Sequence, residues 1–242
     1  MCWNIANPSQ QRALHQATWL LENPADVLVL TECKRSRGCE LLANFFSAHG
    51  HEVIFPRPLD NEYGVLLASK HNLKLSDFSK QIQYLNSRVV SVMIPSIMGG
   101  LEIIGVYVPS RGFDTGTRAK KKSQFMRNLY HALASRSYRP RVFCGDLNVL
   151  EPDHIPNYRH FQDWEPGFYR NIQKCHLTDA FRFLYPTAQE YSWVGRSGDG
   201  YRYDHCFVSE DLLPLIRDCS YAHQTRALGL SDHSVLSLEL AS

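Results

Sequence analysis

A chain of 242 residues with 44% hydrophobic and 21% charged residues can bury a sizeable core and is neither disordered, collagenous nor coiled-coil. Lys and Arg total 26 against 24 Asp and Glu, so the formal net charge of +2 shows no overall bias toward nucleic acid, and only a local patch could supply one. No apolar run reaches the ~20 residues of a membrane span. The opening MCWNIANPSQQR lacks the basic and apolar regions of a secretory leader. The 7 cysteines are odd in number, irregularly spaced and without zinc-finger histidines. Free thiols in a reducing cytoplasm are therefore expected.

In chain order, CWNI is a first strand that runs into a turn at Asn7, Pro8 and Ser9, with Ser9 placed to cap a helix. The chain begins almost on that strand, so its edge is expected to have little cover. Residues 10–21 predict a helix with Leu14, Ala17, Trp19, Leu20 and Leu21 on its apolar side, ended by Asn23 and Pro24. Residues 27–30 form an all-apolar run that is too short for a helix and fits a strand covered on both faces. A second helix over 40–49 is stopped by Gly50. Strands follow at 52–55, 64–69, 87–94 and 101–108, with turn signals at Pro56, Pro58, Asn72, Pro95 and Gly99-Gly100.

The period turns helical again over 117–137, with Phe125, Leu129, Ala132 and Leu133 as the stripe. Residues 141–145 are a buried strand that carries Cys144 as a buried thiol. Residues 152–166 read as a long polar loop, 168–184 as two short helices, and 190–193, 202–208, 217–221 and 233–240 as closing strands. No repeat or linker interrupts the chain, so residues 1–242 are expected to form one domain. Roughly ten strands and four or five helices suit two sheets with helices outside. A doubly wound sheet stays open as an alternative, although it needs more crossover helices between 52 and 108.

The polar residues of interest stand at strand ends: Asn4, Glu32, Tyr107, Asp146, Asn148, Asp204, Asp232 and His233. Each has an ordinary explanation, such as a turn cap for Asn4, a surface pair with Lys34 or Arg35 for Glu32, or an Asx turn for Asp146 and Asn148. Their recurrence at strand ends, where a rigid scaffold meets free loops, points to a shared site. Glu32, Asp146 and Asp232 offer hard oxygen ligands that suit Mg²⁺ or Mn²⁺ rather than zinc. Asp204 can pair with His233 and raise its basicity, and Asp146 can orient or deprotonate a water. Such a set suits phosphoryl transfer. A Ser-His-Asp arrangement around Ser231 has no GxSxG elbow to support it, and no P-loop occurs. GRSGDGY at 195–201 has no apolar helix after it and reads as a hairpin loop.

These stretches resemble the exonuclease–endonuclease–phosphatase superfamily, and within it the exonuclease III and abasic-site endonuclease branch. The likeness runs through WNI, VLVLTECK, GVLLASK, GVYVPS, CGDLNV, YSW, YRYDHCFVS and LSDHSVL, in the family's order and over essentially the whole chain. GD-x-N with a terminal SDH is its specific part. Glu32-Cys33-Lys34 and the run from LTDAFRFLYP through YSW to GYRYDH carry the likeness to the branch.

The resemblance implies a four-layer α/β/β/α sandwich of two mixed sheets packed face to face. It implies Glu32 as the direct metal ligand, with Asn4 and Asp232 at the metal and Lys34 near its carboxylates. Asp146 would position the attacking water, helped by Asn148. His233, held by Asp204, would contact the phosphate, with Tyr107 near the phosphate or leaving oxygen. Hydrolysis would be in line, with no covalent intermediate.

Departures fall on the recognition surface. Ala6 and Asn7 stand where a glycine is usual, Ser110 where an asparagine is common, and Phe113 near an arginine slot. Tyr201 replaces a pocket tryptophan and His205 a tyrosine. Arg111, Arg118, Lys120, Lys121 and Lys122 form a basic run after Tyr107 that could flank a phosphate backbone, with Arg136, Arg139 and Arg141 further on. His154, Tyr158, Arg159, His160, Trp164, Phe168 and Tyr169, with Trp193 and Tyr201, offer rings on which bases can stack. The expected protein is a monomeric Mg²⁺-dependent DNA phosphodiesterase, either an endonuclease or a 3′-exonuclease, used in repair. A phosphatase or phosphodiesterase for a small or lipid-linked phosphoester, and a catalytically silent scaffold, are the alternatives.

Overall fold

The computed structural model describes residues 1–59, 61–135 and 140–241. β1 (Cys2–Asn4) turns into α1 (Gln10–Glu22), where the Ser9 hydroxyl accepts the Arg12 N–H at 3.2 Å. After β2 (Val27–Cys33), α2 (Arg37–Ala48) starts ahead of the expected residue 40 because Ser36 caps it through the Cys39 N–H. Next come β3 (Glu52–Ile54), β4 (Gly64–Ser69), β5 (Lys74–Leu75), β6 (Val89–Ile94), β7 (Leu101–Tyr107), α3 (Thr117–Ala134) and β8 (Arg141–Asp146). The predicted end of α3 at 136–137, with Arg136 and Arg139, lies outside the described residues.

α4 (Trp164–Gln173) begins inside the expected loop, and β9 (Leu177–Asp179) separates it from α5 (Ala180–Leu184). β10 (Trp193–Val194) and β11 (Gly200–Tyr201) form a separate two-stranded ribbon. β12 (Asp204–Ser209), β13 (Ile216–Ala222), α6 (Gln224–Ala227) and β14 (Val235–Leu240) close the chain. The strand expected at 190–193 is reduced to its last residue because Ser192 does other work. Its hydroxyl accepts the Tyr203 and Asp204 N–H groups at 3.0 and 3.1 Å.

One six-stranded sheet runs β13-β14-β1-β2-β4-β3 and the other β5-β6-β7-β8-β12-β9. Both mix parallel and antiparallel pairs. β1 is an interior strand between β14 and β2, so β14 covers the edge that was expected to lie bare.

Alternation along the strands builds the layers. In β2, Val29 points to the inter-sheet core while Leu28 and Leu30 point outward to α1 and α2. In β8, Val142 and Cys144 face inward while Phe143 faces Phe125 and Leu129 of α3. Three apolar clusters therefore alternate with two sheets, giving helix, sheet, sheet, helix. The 7 cysteines are free thiols, and Cys144 is buried as expected. Among the described residues no helix is long and apolar enough to cross a membrane.

The sheets touch closely at Gly105 in β7. A Cβ there would lie 2.6 Å from Val29 Cγ1 and 3.2 Å from Val65 Cγ1 on the facing sheet. Gly105→Ala should cost about 1–3 kcal/mol through overpacking. Urea unfolding should show a lower midpoint with an unchanged m-value.

Candidate active site

Register brings the strand ends together. Tyr107 pairs with Asp146 across parallel β7 and β8, and Asp146 pairs with Asp204 across antiparallel β8 and β12. On the other sheet Asn4 ends β1, and a bulge between Leu30 and Cys33 carries Glu32 in the left-handed region at φ 58°. The two groups meet through one amide. Asn4 Nδ2 donates to Glu32 Oε2 at 3.0 Å and to Asp146 Oδ2 at 2.8 Å, while Asn4 Oδ1 accepts the Ala6 N–H at 2.9 Å. Asn4 is thus a donor that bridges two carboxylates at the place where a metal was expected. The Tyr107 hydroxyl donates to Glu32 Oε2 at 3.0 Å. Burial, together with the Glu32 and Asp146 charges, pushes that phenol well above its usual range and keeps it protonated.

His233 is buried, with Nδ1 2.6 Å from Asp204 Oδ2 and Nε2 4.0 Å from Asp146 Oδ2. The Trp3 indole and the Thr225 hydroxyl each donate to its carbonyl at 3.1 Å and fix the backbone. Burial works against the imidazolium, but the Asp204 and Asp146 carboxylates prevail and raise His233 to about 9. Asp146 is pushed up to about 7 by burial and by the charge of Asp204, against the pull of His233 and Asn4. The Ser231 hydroxyl donates to the Asn4 carbonyl at 2.6 Å and accepts the His233 N–H at 3.2 Å, so it does not face the imidazole as a nucleophile would.

Asp146, Asp204 and His233 bring three ligand atoms within 4.8 Å of one another, a cluster able to hold a metal ion. Asp204 Oδ1 is buried there without a hydrogen-bond partner. Asp232, expected at the metal, is exposed. Its Oδ2 accepts the Trp193 indole N–H at 2.9 Å, which puts it at the rim beside the rings. Asn148, at φ 50°, donates its backbone N–H to Asp146 Oδ1 at 2.9 Å and its side-chain amide to the Val108 carbonyl at 3.0 Å. Lys34 lies with Nζ 4.4 Å above the Tyr63 ring, and the Tyr63 ring packs edge-on to Tyr107.

The expected basic patch divides. Arg118 and Lys120 are exposed. Lys121 is half-buried on Glu62. Arg111 and Lys122 are buried on Glu165, so neither side chain reaches a phosphate backbone, contrary to expectation. Helical spacing carried this signal for Lys122, which shares one face of α3 with Ala119, Phe125, Met126 and Leu129. Tyr201 is buried between Tyr158, at 4.3 Å, and Tyr203, at 5.1 Å, with Trp193 at 5.4 Å. Trp164 and Phe168 belong to α4, where Phe168 is buried and packs in the core. Arg88 was missed. Its guanidinium lies 4.8 Å over the Tyr107 ring and pairs with Glu62 at 3.4 Å.

Two packed sheets whose strand ends gather carboxylates, an amide and a buried His–Asp pair define a metal-supporting hydrolytic site. The chain belongs to the Endonuclease/Exonuclease/phosphatase family, whose profile matches residues 1–233. It is 25% identical to an exodeoxyribonuclease of Bacillus subtilis over 98% of this chain and 96% of that protein. It is 26% identical to exodeoxyribonuclease III of Haemophilus influenzae over 77% of this chain and 79% of that one. An AP endonuclease structure from Archaeoglobus fulgidus superposes with a TM-score of 0.82 over 100% of this chain and 98% of that chain, and at 24% identity this is a likeness of fold. Fold, family and cluster together support a hydrolytic enzyme with nuclease or phosphodiesterase chemistry.

A histidine raised from 6.5 to about 9 stabilises the fold fully below about 6.5 and loses that contribution as pH rises through 9. Asp146, raised from 3.8 to about 7, adds a loss between those values. Urea unfolding in chelator should therefore give falling stability from pH 6.5 to 9. Asp204→Asn should flatten that fall. An equal fall in the variant would mean that Asp204 is not what holds the proton on His233.

Proposed function

We propose that this chain is a Mg²⁺-dependent DNA phosphodiesterase that hydrolyses its substrate by in-line attack of water. The observation that carries the reading is the Asn4 amide joining Glu32 and Asp146 beside the His233–Asp204 pair. Glu32, Asp146 and Asp204 set three carboxylates against one imidazolium, and burial together with the Asp204 charge pushes Asp146 up to about 7. That excess of negative charge, with hard oxygen donors, fits a divalent cation such as Mg²⁺ or Mn²⁺. Glu32 and Asp146 would hold the ion, with Asp232 in support from the rim. A cationic His233 is a poor ligand, so the metal belongs on the carboxylate side of the cluster. Held there, a divalent cation would supply charge to offset that of the phosphoryl oxygens.

The chain's own groups do the rest. Asp146, held by Asn4 and by the Asn148 N–H, orients the attacking water as a carboxylate. His233 presents Nε2–H to a non-bridging phosphate oxygen while Asp204 keeps its proton in place. Tyr107, kept neutral by burial, holds Glu32 with its hydroxyl and lies beside the place of the phosphate or the leaving oxygen. Lys34, Arg118 and Lys120 remain to meet the backbone phosphates. The relatives named exodeoxyribonuclease support DNA as the substrate.

The test is an end-labelled duplex with one abasic site beside an undamaged duplex, each with Mg²⁺ and with chelator. The expected result is Mg²⁺-dependent cleavage that chelator abolishes and Asp146→Asn reduces by about 10³-fold. A cut confined to the lesion identifies an abasic-site endonuclease, and trimming from the end identifies a 3′-exonuclease. No cleavage of either duplex by folded protein overturns the DNA reading. Turnover of bis(p-nitrophenyl) phosphate by the same sample would then favour a small phosphoester. Replacing Arg118 and Lys120 together should lower the slope of log K against log salt by about 1–2.

A further inference from the structure

Glu165 on α4 is fully buried and holds two buried cations. Lys122 Nζ donates to its Oε1, and Arg111 donates Nε and Nη2 to its Oε2 at 2.9 and 2.6 Å. One carboxylate for two cations leaves a positive charge in excess. Buried ion pairs are often replaced by apolar residues with no loss of stability, so stability alone gives no reason for this triad. Its remaining bonds do give one, because one of them goes to the segment that holds Asp146.

Lys122 Nζ donates to the Asn148 carbonyl at 2.6 Å. Asn148 sits in the left-handed region, and its N–H is the donor that holds Asp146 Oδ1 at 2.9 Å. Arg111 donates to the carbonyls of Gly112 and Asp114 at 3.1 and 3.2 Å, which sets the loop after Tyr107. Arg111 Nη2 also reaches the His160 carbonyl, and Glu165 Oε2 accepts the Gln162 N–H at 3.0 Å. Hydrogen bonds thus run from Glu165 to Lys122, from Lys122 to the Asn148 carbonyl and from the Asn148 N–H to Asp146, with the Asn148 backbone as the covalent link between the last two.

We infer that Lys122 is a positioning residue for Asp146: seated on Glu165, its ammonium holds the Asn148 carbonyl, and with it the N–H that fixes one oxygen of the carboxylate. Lys122 touches no substrate and acts through Asn148. Without the ammonium, Asn148 keeps its side-chain bond to the Val108 carbonyl but its peptide backbone is held less firmly, so one of the two anchors of Asp146 loosens while Asn4 keeps the other. Loss of orientation at a reacting group lowers kcat more than it weakens binding.

The test compares Lys122→Met, Lys122→Arg and Arg141→Met. Arg141 is buried and pairs with Glu102 at 2.8 Å, and among the described residues neither side chain has a hydrogen bond to Asp146 or Asn148, so Arg141→Met serves as the control for loss of a buried cation away from Asn148. On the end-labelled duplex with Mg²⁺, well below each variant's Tm, Lys122→Met should lose about 10–100-fold in kcat with KM within about threefold of the parent. Lys122→Arg, whose fork can reach both partners, should return to within about fivefold. Arg141→Met should keep kcat despite a lower Tm. The second readout is hydrogen–deuterium exchange of segment 147–150, which should quicken in Lys122→Met and not in Arg141→Met. A Lys122→Met kcat within about twofold of the parent, or equal losses in Lys122→Met and Arg141→Met, overturns the inference. Only the kinetic arm rests on the nuclease reading. If the parent fails to cut DNA, that reading falls, and unchanged exchange at 147–150 still overturns the positioning role.

Discussion

One amide nitrogen joins the two halves of this site. Asn4 Nδ2 lies on a strand of one sheet and holds a carboxylate from each side, Glu32 from its own sheet and Asp146 from the other. Two anionic groups do not approach each other unaided in a buried place, and a donor shared between them offsets part of their repulsion. The arrangement works only if the sheets lie at one separation and one offset. The interdigitated core between them sets both, with Gly105 marking where Val29 and Val65 come closest. The chemistry at the strand ends therefore depends on packing well away from it.

Two local distortions serve the same end. Glu32 and Asn148 both take left-handed backbone conformations that cost energy for residues with a Cβ. At Glu32 a bulge takes the residue out of the β2 ladder, so its carboxylate meets Asn4 and Tyr107 rather than following the strand's alternation. At Asn148 the turn aims a backbone N–H back at Asp146. Their neighbours over-determine both conformations, which is the condition under which such strain persists.

The strand ends were legible because each is an apolar run of a few residues followed by one polar group, a pattern that local composition carries. Which strands are neighbours was not legible in the residues, since pairing is a long-range property. The inventory of strands and helices suited two sheets with helices outside, and the resemblance to a family supplied the face-to-face four-layer arrangement. Strands of two or three residues such as β5, β9 and β11 were missed because so short a stretch has no period to detect. The side of a helix was legible but was read for its charge. Lys122 stands in a run of three lysines, yet its spacing to Phe125, Met126 and Leu129 puts it on the buried face, while Lys120 points to solvent. Asp232 and His233 are adjacent in sequence and part ways in space, because the alternation of an extended segment sends one to the rim and the other inward.

The buried charges are organised around that divergence. Arg202 is fully buried and pairs with Glu151 at 2.6 Å and Asp179 at 2.8 Å, while Arg182 also binds Glu151, so this network closes on itself. The Glu165 triad leans positive, with two cations on one carboxylate. The site between the strand ends leans negative, with Asp204 Oδ1 buried and unpartnered and Asp146 pushed up to about 7. Three carboxylates beside one imidazolium leave the site between the strand ends short of positive charge, and that shortfall is an electrostatic demand. A divalent cation is the kind of group that would meet that demand, and a cluster of Asp146, Asp204 and His233 able to hold one stands there, with the imidazole fixed by Asp204.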